Sequence, residues 1–161
     1  AGIVPGILTV LNLFRSRSLP VFHVVRVHRP DGSDVEIIRQ DLFRQHPFAV
    51  EGTCGAAVID DLSPLPGEYL LPKIRMSAFI GTGLDLTLRT LGVDSLVVTG
   101  IQTPNCVRTT VFDAIAYNYP VCVVDDATGA RTPEIHLANL RDMAGIGVQV
   151  MHAADLAALL P

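Results

Sequence analysis

The chain alternates between short, almost wholly apolar segments and longer segments with helical periodicity, and this alternation limits the fold more than any other feature. Strands are predicted at Val21–Val27, Tyr69–Leu71, Leu96–Thr99, Val121–Val124 and Val148–Met151. Helices are predicted at Ile3–Arg17, Val35–Phe43, Phe79–Leu91, Val107–Tyr117, Pro133–Ala144 and Ala154–Leu160. Since strands without polar alternation are covered on both faces, the pattern predicts right-handed βαβ units. We therefore expect one α/β domain over residues 1–161, with a three-layer, doubly wound, Rossmann-like and mostly parallel sheet.

The composition excludes several classes of protein. Of the 161 residues, 49% are hydrophobic and 17% are charged, which indicates a folded chain with a sizeable core. The net charge of −4 and the lack of a basic patch argue against a nucleic-acid partner. The longest apolar runs are far too short to cross a bilayer, so no membrane partner is expected, and no signal peptide is visible.

The three cysteines bear on the cellular compartment. Cys54, Cys106 and Cys122 form an odd-numbered set without metal-ligand spacing. We interpret them as reduced thiols of a cytoplasmic protein, and we expect neither a metal nor a cofactor.

Cys106 is the candidate nucleophile. The strand Leu96–Thr99 runs into Gly100, a sharp turn follows, and Cys106 stands immediately before the helix predicted to begin at Val107. The positive end of a helix favours the thiolate, which is the nucleophilic form of cysteine. A cysteine that serves only in packing is the alternative at this position.

Lys73 is the candidate partner of this thiol. It follows an apolar strand directly and precedes a Ser-Ala-Phe turn at 77–79. Because reacting groups in an open parallel sheet gather outside the carboxyl ends of the strands, we expect Lys73 and Cys106 to lie close together. A lysine beside a thiol stabilises the thiolate and can transfer a proton, whereas a plain surface lysine is the alternative.

Two motifs in this order resemble those of a known superfamily. The first reads K-I-R-M-S-A-F from Lys73, and the second reads G-I-Q-T-P-N-C-V from Gly100, with V-V-D-D-A-T further on. Together they resemble the isochorismatase-like cysteine hydrolases, which include nicotinamidases, N-carbamoylsarcosine amidases and ureidoacrylate amidases. The resemblance covers essentially the whole chain. Isochorismatases proper cleave a vinyl ether and lack the cysteine nucleophile, so Cys106 argues against that chemistry.

The resemblance implies an amidase mechanism. Cys106 would attack the carbonyl of a small amide or ureide and expel ammonia or an amine, and water would then cleave the thioester. The backbone N–H groups of Gln102 and Cys106 would bind the oxyanion. A cis peptide bond is implied in the turn, between Ile101 and Gln102.

The chain departs from the superfamily in one respect. The third catalytic residue of the superfamily is an Asp at the end of an N-terminal strand, and no such segment stands before the helix Ile3–Arg17. That strand would lie in the middle of the sheet, where its loss exposes two rows of unpaired backbone groups. We therefore expect that the N-terminal central strand is missing from the numbered chain and that the domain is N-terminally incomplete. Asp125 or Asp126 is an alternative base, although a capping or turn role suits them better.

The substrate pocket is the least determined part of the site. We expect Arg26 and His28 to line the pocket or to fix the adjacent loop, and Thr53 to shape the pocket wall, with a plain glycine turn as the alternative there. His28 and Asp31 could ligate a metal, but the ligand order of the metal-binding nicotinamidases is not reproduced. His136 is predicted on the exposed or interface side of its helix, with no chemical role.

An inactive relative that serves as a binding or scaffold protein is the main alternative to the amidase. A nucleotide-binding Rossmann protein is disfavoured because no G-x-G-x-x-G follows a strand. A small-molecule amide or ureide is the expected partner, and relatives of this kind commonly form homo-oligomers, dimers or larger.

Overall fold

The computed structural model describes residues 2–160, in which parallel strands alternate with helices. The five α-helices are α1 (Val4–Ser16), α2 (Gln40–Gln45), α3 (Leu84–Thr90), α4 (Arg108–Ala116) and α5 (Pro133–Gly145). The five strands are β1 (Phe22–Arg26), β2 (Tyr69–Lys73), β3 (Leu96–Ile101), β4 (Val121–Gly129) and β5 (Gln149–Met151). Shorter 3-10 turns lie at Ile37–Arg39, Cys54–Ala56, Asp60–Leu62 and Ala153–Ala158. The prediction of an α/β fold with parallel strands is confirmed.

The parallel strands form two sheets rather than one. β1 pairs with β2 from Phe22 opposite Tyr69 to Arg26 opposite Lys73, and the second sheet has the order β3-β4-β5. An open cleft of about 570 Å³ separates them, lined by β1 residues on one side and β3 residues on the other. The cleft lies where the resemblance implies a central strand, and the incomplete domain remains a prediction.

Helices cover both faces of the strands. On one face, α1 and the Ala153–Ala158 turn enclose a cluster that includes Val10, Val124 and Leu156. On the other face, α3, α4 and α5 enclose the larger cluster around Val123 and Met143, both of which are wholly buried. The result is a three-layer arrangement of helices, strands and helices. Lys73, at the end of β2, and the turn after β3 lie at the carboxyl ends of the strands.

Helix α5 begins as the sequence predicts. Pro133 occupies its first turn, where a missing N–H costs nothing. The Thr132 hydroxyl accepts the N–H of Ile135 at 3.3 Å, so Thr132 is the N-cap.

Several predicted boundaries were wrong. β4 does not end at Val124 but continues to Gly129. Its pairing with β3 is irregular between Val98 and Gly100 of β3. α3 begins at Leu84 rather than Phe79, since Gly81 adopts a φ of 73° and the Thr82 hydroxyl accepts the Leu84 N–H. The predicted helix at 35–43 is divided into a 3-10 turn and α2, and the last predicted helix is a 3-10 turn. Among residues 2–160, none of the helices has the length and apolar character needed to span a membrane.

Candidate active site

Lys73 is the last residue of β2 and lies inside the protein. It is 5% exposed, and its Nζ donates a hydrogen bond to the carbonyl of Met76. It is also the only lysine in the sequence. Burial lowers the pKa of Lys73, and the neighbouring Cys106 acts in the opposite direction. The two residues that the sequence paired therefore interact.

Cys106 lies in a helical turn that follows β3. The peptide bond between Ile101 and Gln102 is cis, at the position that the resemblance implies. A π-helical turn then spans Thr103–Val107 and continues into α4, and its first bonds run from the N–H groups of Asn105 and Val107 to the Gln102 carbonyl. The helical segment thus begins at Thr103, four residues earlier than predicted, and Cys106 lies within it. Its side chain is partly accessible.

Thr110 links the two sequence motifs. Its hydroxyl donates to the Cys106 carbonyl at 2.7 Å and accepts the N–H of Ala78 at 3.0 Å. Since Ala78 belongs to the turn that follows Lys73, one side chain holds both halves of the site together. This contact joins the two motifs in space although they are distant in the sequence.

Arg26 lies next to Lys73 and carries an acidic partner. The two residues are opposite each other in the β1–β2 register. Arg26 Nη2 donates to Glu36 Oε1 and, at 3.5 Å, to the Ile74 carbonyl. Burial raises the pKa of Glu36, but hydrogen bonds and the charges of Arg26 and Arg39 outweigh it and leave that pKa below its usual value.

His28 fixes the loop that follows β1. It is 1% exposed, its Nδ1 lies 3.2 Å from Asp34 Oδ1, and its ring packs edge-on against Phe43 and Phe48. Burial lowers the pKa of His28, which favours the neutral ring. Of the two roles expected for His28, its contacts are those of a loop anchor. Asp31 bonds to Ser33 instead.

Thr53 and the two candidate bases make local contacts. Thr53 is exposed and its hydroxyl donates to the Val50 carbonyl, as in a simple turn. Asp126 accepts the N–H of Ala153 at 2.8 Å, and Asp125 pairs with His152 at 2.9 Å. These contacts fit the capping and turn roles that the sequence favoured for both aspartates.

His136, predicted on the exposed or interface side of its helix with no chemical role, makes a contact that the sequence did not indicate. It is half-buried, and its Nδ1 lies 2.9 Å from the hydroxyl of Thr103, a fully buried residue at the start of the Cys106 turn. Helical periodicity assigns His136 to a face of α5 but does not reveal that the Thr103–Val107 turn packs against this face. Asp34 and Glu36 were also missed, since they flank Val35 at the start of the predicted helix Val35–Phe43 and no motif marks them.

Comparison with known proteins places the chain in a family. The model of the isochorismatase domain matches residues 1–155. The chain is 47% identical over 157 residues to a probable inactive nicotinamidase from Arabidopsis thaliana, covering 92% of this chain and 78% of that protein. It is 34% identical over 146 residues to an N-carbamoylsarcosine amidase from an Arthrobacter species, covering 88% of this chain but only 54%, about half, of the amidase.

A solved structure gives the same result. An isochorismatase family protein from Desulfovibrio vulgaris superposes with a TM-score of 0.94 and 45% sequence identity, covering 98% of this chain and 84% of that one. The chain belongs to the isochorismatase family. Its relatives include amidohydrolases, and one of its similar relatives carries a name that marks it as inactive.

Proposed function

We propose that the protein is a cysteine-dependent hydrolase of a small amide or ureide, with Cys106 as nucleophile and Lys73 as its charged partner. The observation that carries the proposal is the pairing of the buried Lys73, at the end of β2, with the partly accessible Cys106 after β3. Burying a cation beside a thiol is costly unless the thiol loses its proton, because the thiolate then balances the positive charge. The arrangement suits activation of a nucleophile better than stability.

The first half of the reaction forms a thioester. Cys106 Sγ bonds to the substrate carbonyl carbon, and the backbone N–H groups of Gln102 and Cys106 would receive the developing oxyanion. The C–N bond then breaks, and the thiol proton has to reach the leaving nitrogen. Lys73 can carry that proton because it lies beside the thiol and because burial lowers its pKa from the usual value of a lysine.

The second half returns the enzyme to its starting state. Water adds to the thioester carbonyl, the C–S bond breaks, and a carboxylic or carbamic acid leaves. Lys73 takes a proton from the attacking water and returns one to the departing thiolate. No cofactor is needed for either half.

The proposal is tested by ammonia release from a panel of small carboxamides and ureides. We expect at least one substrate to be turned over by the wild type, a Cys106→Ala variant to be inactive, and a Cys54→Ala variant to keep full activity, since Cys54 lies in an exposed turn. A covalent acyl adduct on Cys106 should be visible in the intact mass after rapid acid quenching. Turnover that survives Cys106→Ala would contradict the proposal.

A second candidate is a catalytically inactive family member that binds a small molecule or a protein. The observation that favours it is the 47% identity to a probable inactive nicotinamidase. The rate at which iodoacetamide alkylates Cys106 at neutral pH separates the two. Rapid, selective alkylation supports the enzyme, whereas a rate like that of a free thiol supports the inactive protein.

We also propose a homo-oligomeric protein of a reducing, cytoplasmic compartment. All three cysteines are free thiols, and Ile37 and Ile38 are 86% and 90% exposed, which suits a surface covered by a second copy.

A further inference from the structure

We propose that the ion pair between Arg26 and Glu36 controls the charge of Lys73, and that Glu36 helps to keep this ammonium group protonated beside Cys106. The catalytic importance of this control rests on the function proposed above. Neither of the two sequence motifs includes Arg26 or Glu36. These two residues act on the site as positioning residues, through their effect on Lys73.

The strand register makes Arg26 and Lys73 neighbours. They are the last pair of the β1–β2 ladder, and residues paired across neighbouring strands project to the same face of a sheet. Both side chains are largely enclosed, with Lys73 5% and the Arg26 side chain 14% exposed. Two cations held side by side away from water destabilise each other unless a carboxylate stands with them.

Glu36 supplies that carboxylate. Its Oε1 accepts from Arg26, and its Oε2 lies 3.8 Å from Arg39, too far for a hydrogen bond. Within the described residues, Glu36 Oε2 and Arg26 Nε are buried without a hydrogen-bond partner. Because both atoms are closed to solvent, no substrate atom reaches them in this conformation. These two buried atoms therefore make no direct substrate contact, and the charges of Arg26 and Glu36 act on Lys73 through space.

The groups facing Lys73 act on it with different signs. Burial is the largest influence and lowers the pKa of Lys73, and Cys106 comes next and raises it. Arg26, which lowers this pKa, and Glu36, which raises it, have smaller effects. Removal of the Glu36 charge should therefore lower the pKa of Lys73, and removal of the Arg26 charge should raise it. A purely structural role would not give shifts of opposite sign.

The test uses Lys73, the single lysine among residues 1–161. In protein labelled with 13C-lysine, the side-chain Cε signal that is lost in Lys73→Arg belongs to Lys73, and its chemical shift reports the titration of this residue directly. We expect the midpoint to fall in Glu36→Gln and to rise in Arg26→Gln, in both cases relative to the wild type. The matched controls Asp41→Asn and Arg44→Gln alter an exposed ion pair on the nearby α2 and should leave the midpoint unchanged.

The outcomes decide the inference in either direction. Midpoints of Glu36→Gln and Arg26→Gln that stay with the controls, or that move in the same direction, would overturn it. If Glu36→Gln does not fold, the double variant Arg26→Gln/Glu36→Gln carries the test, because its midpoint should lie below that of Arg26→Gln alone. The titration needs no substrate. An inactive protein with the expected shifts would refute only the proposed function, and an active enzyme without them would refute only this inference.

Discussion

Glu68 ties α1 to the β1–β2 sheet, and its removal should change the acid stability of the protein. Its carboxylate accepts two hydrogen bonds from Arg15, at 2.6 and 2.9 Å, and one from the Leu65 N–H at 2.8 Å. His23 Nε2 lies 2.8 Å away, and the Glu68 side chain is only 9% exposed. The hydrogen bond from Arg15 is the main cause that lowers the pKa of Glu68 from 4.5 to about 2.

The sign and size of the effect follow from this pKa. A carboxyl whose pKa is lower in the folded than in the unfolded state stabilises the fold above pH 4.5, and this contribution is lost as the pH falls towards 2. At about 1.4 kcal/mol per pH unit, the contribution at neutral pH is about 3 kcal/mol. Between pH 6 and pH 3, about 2 kcal/mol of it should disappear.

The assay compares urea unfolding of the wild type and Glu68→Gln at pH 6 and at pH 3. We expect the variant to be less stable at pH 6 and the difference in unfolding free energy to shrink by about 2 kcal/mol at pH 3. Glu51→Gln, which makes the same change on an exposed side chain, should show no such dependence. A difference that stays constant between the two pH values would refute the assigned role of the network.

Two further predictions concern thiol reactivity and helix packing. Burial raises the pKa of Cys122 to about 11. We therefore expect iodoacetamide at pH 8 to modify Cys106 and Cys54 in the native protein, and Cys122 only after denaturation, as measured by peptide mass mapping. Equal modification rates for all three cysteines would contradict this prediction. Gly6→Ala should destabilise the protein by about 1–3 kcal/mol in thermal unfolding, because a Cβ there would lie 2.4 Å from a backbone carbonyl of β4. Gly145→Ala, which meets open space in α5, is the matched control, and an equal effect at both glycines would count against the steric argument.

The elements that sequence predicted well are those with a single local cause. Apolar runs marked all five strands, and the Thr132-Pro133 pair marked the start of α5. The elements predicted badly depend on contacts between distant segments. β4 continues past Asp125 and Asp126 because Thr128 and Gly129 pair with β3 beyond the irregularity, and no local pattern indicates this.

The same distinction holds for the site. The motifs at Lys73 and Cys106 located the two residues of the proposed reactive pair, because strand ends and helix starts are readable from the sequence. Glu36 escaped notice, since its position depends on an irregular loop that is held in place by His28 in its aromatic cage. Residues that modify a reactive pair are set by tertiary structure, and sequence patterns do not reveal them.

The Thr110 hydroxyl gives the candidate site a connection that does not depend on strand pairing. Lys73 belongs to the β1–β2 sheet, whereas Cys106 follows β3 of the other sheet. The hydroxyl bonds to the Ala78 N–H, in the turn after Lys73, and to the Cys106 carbonyl. One side chain of α4 thus cross-links the backbones of the two segments that carry the cation and the thiol.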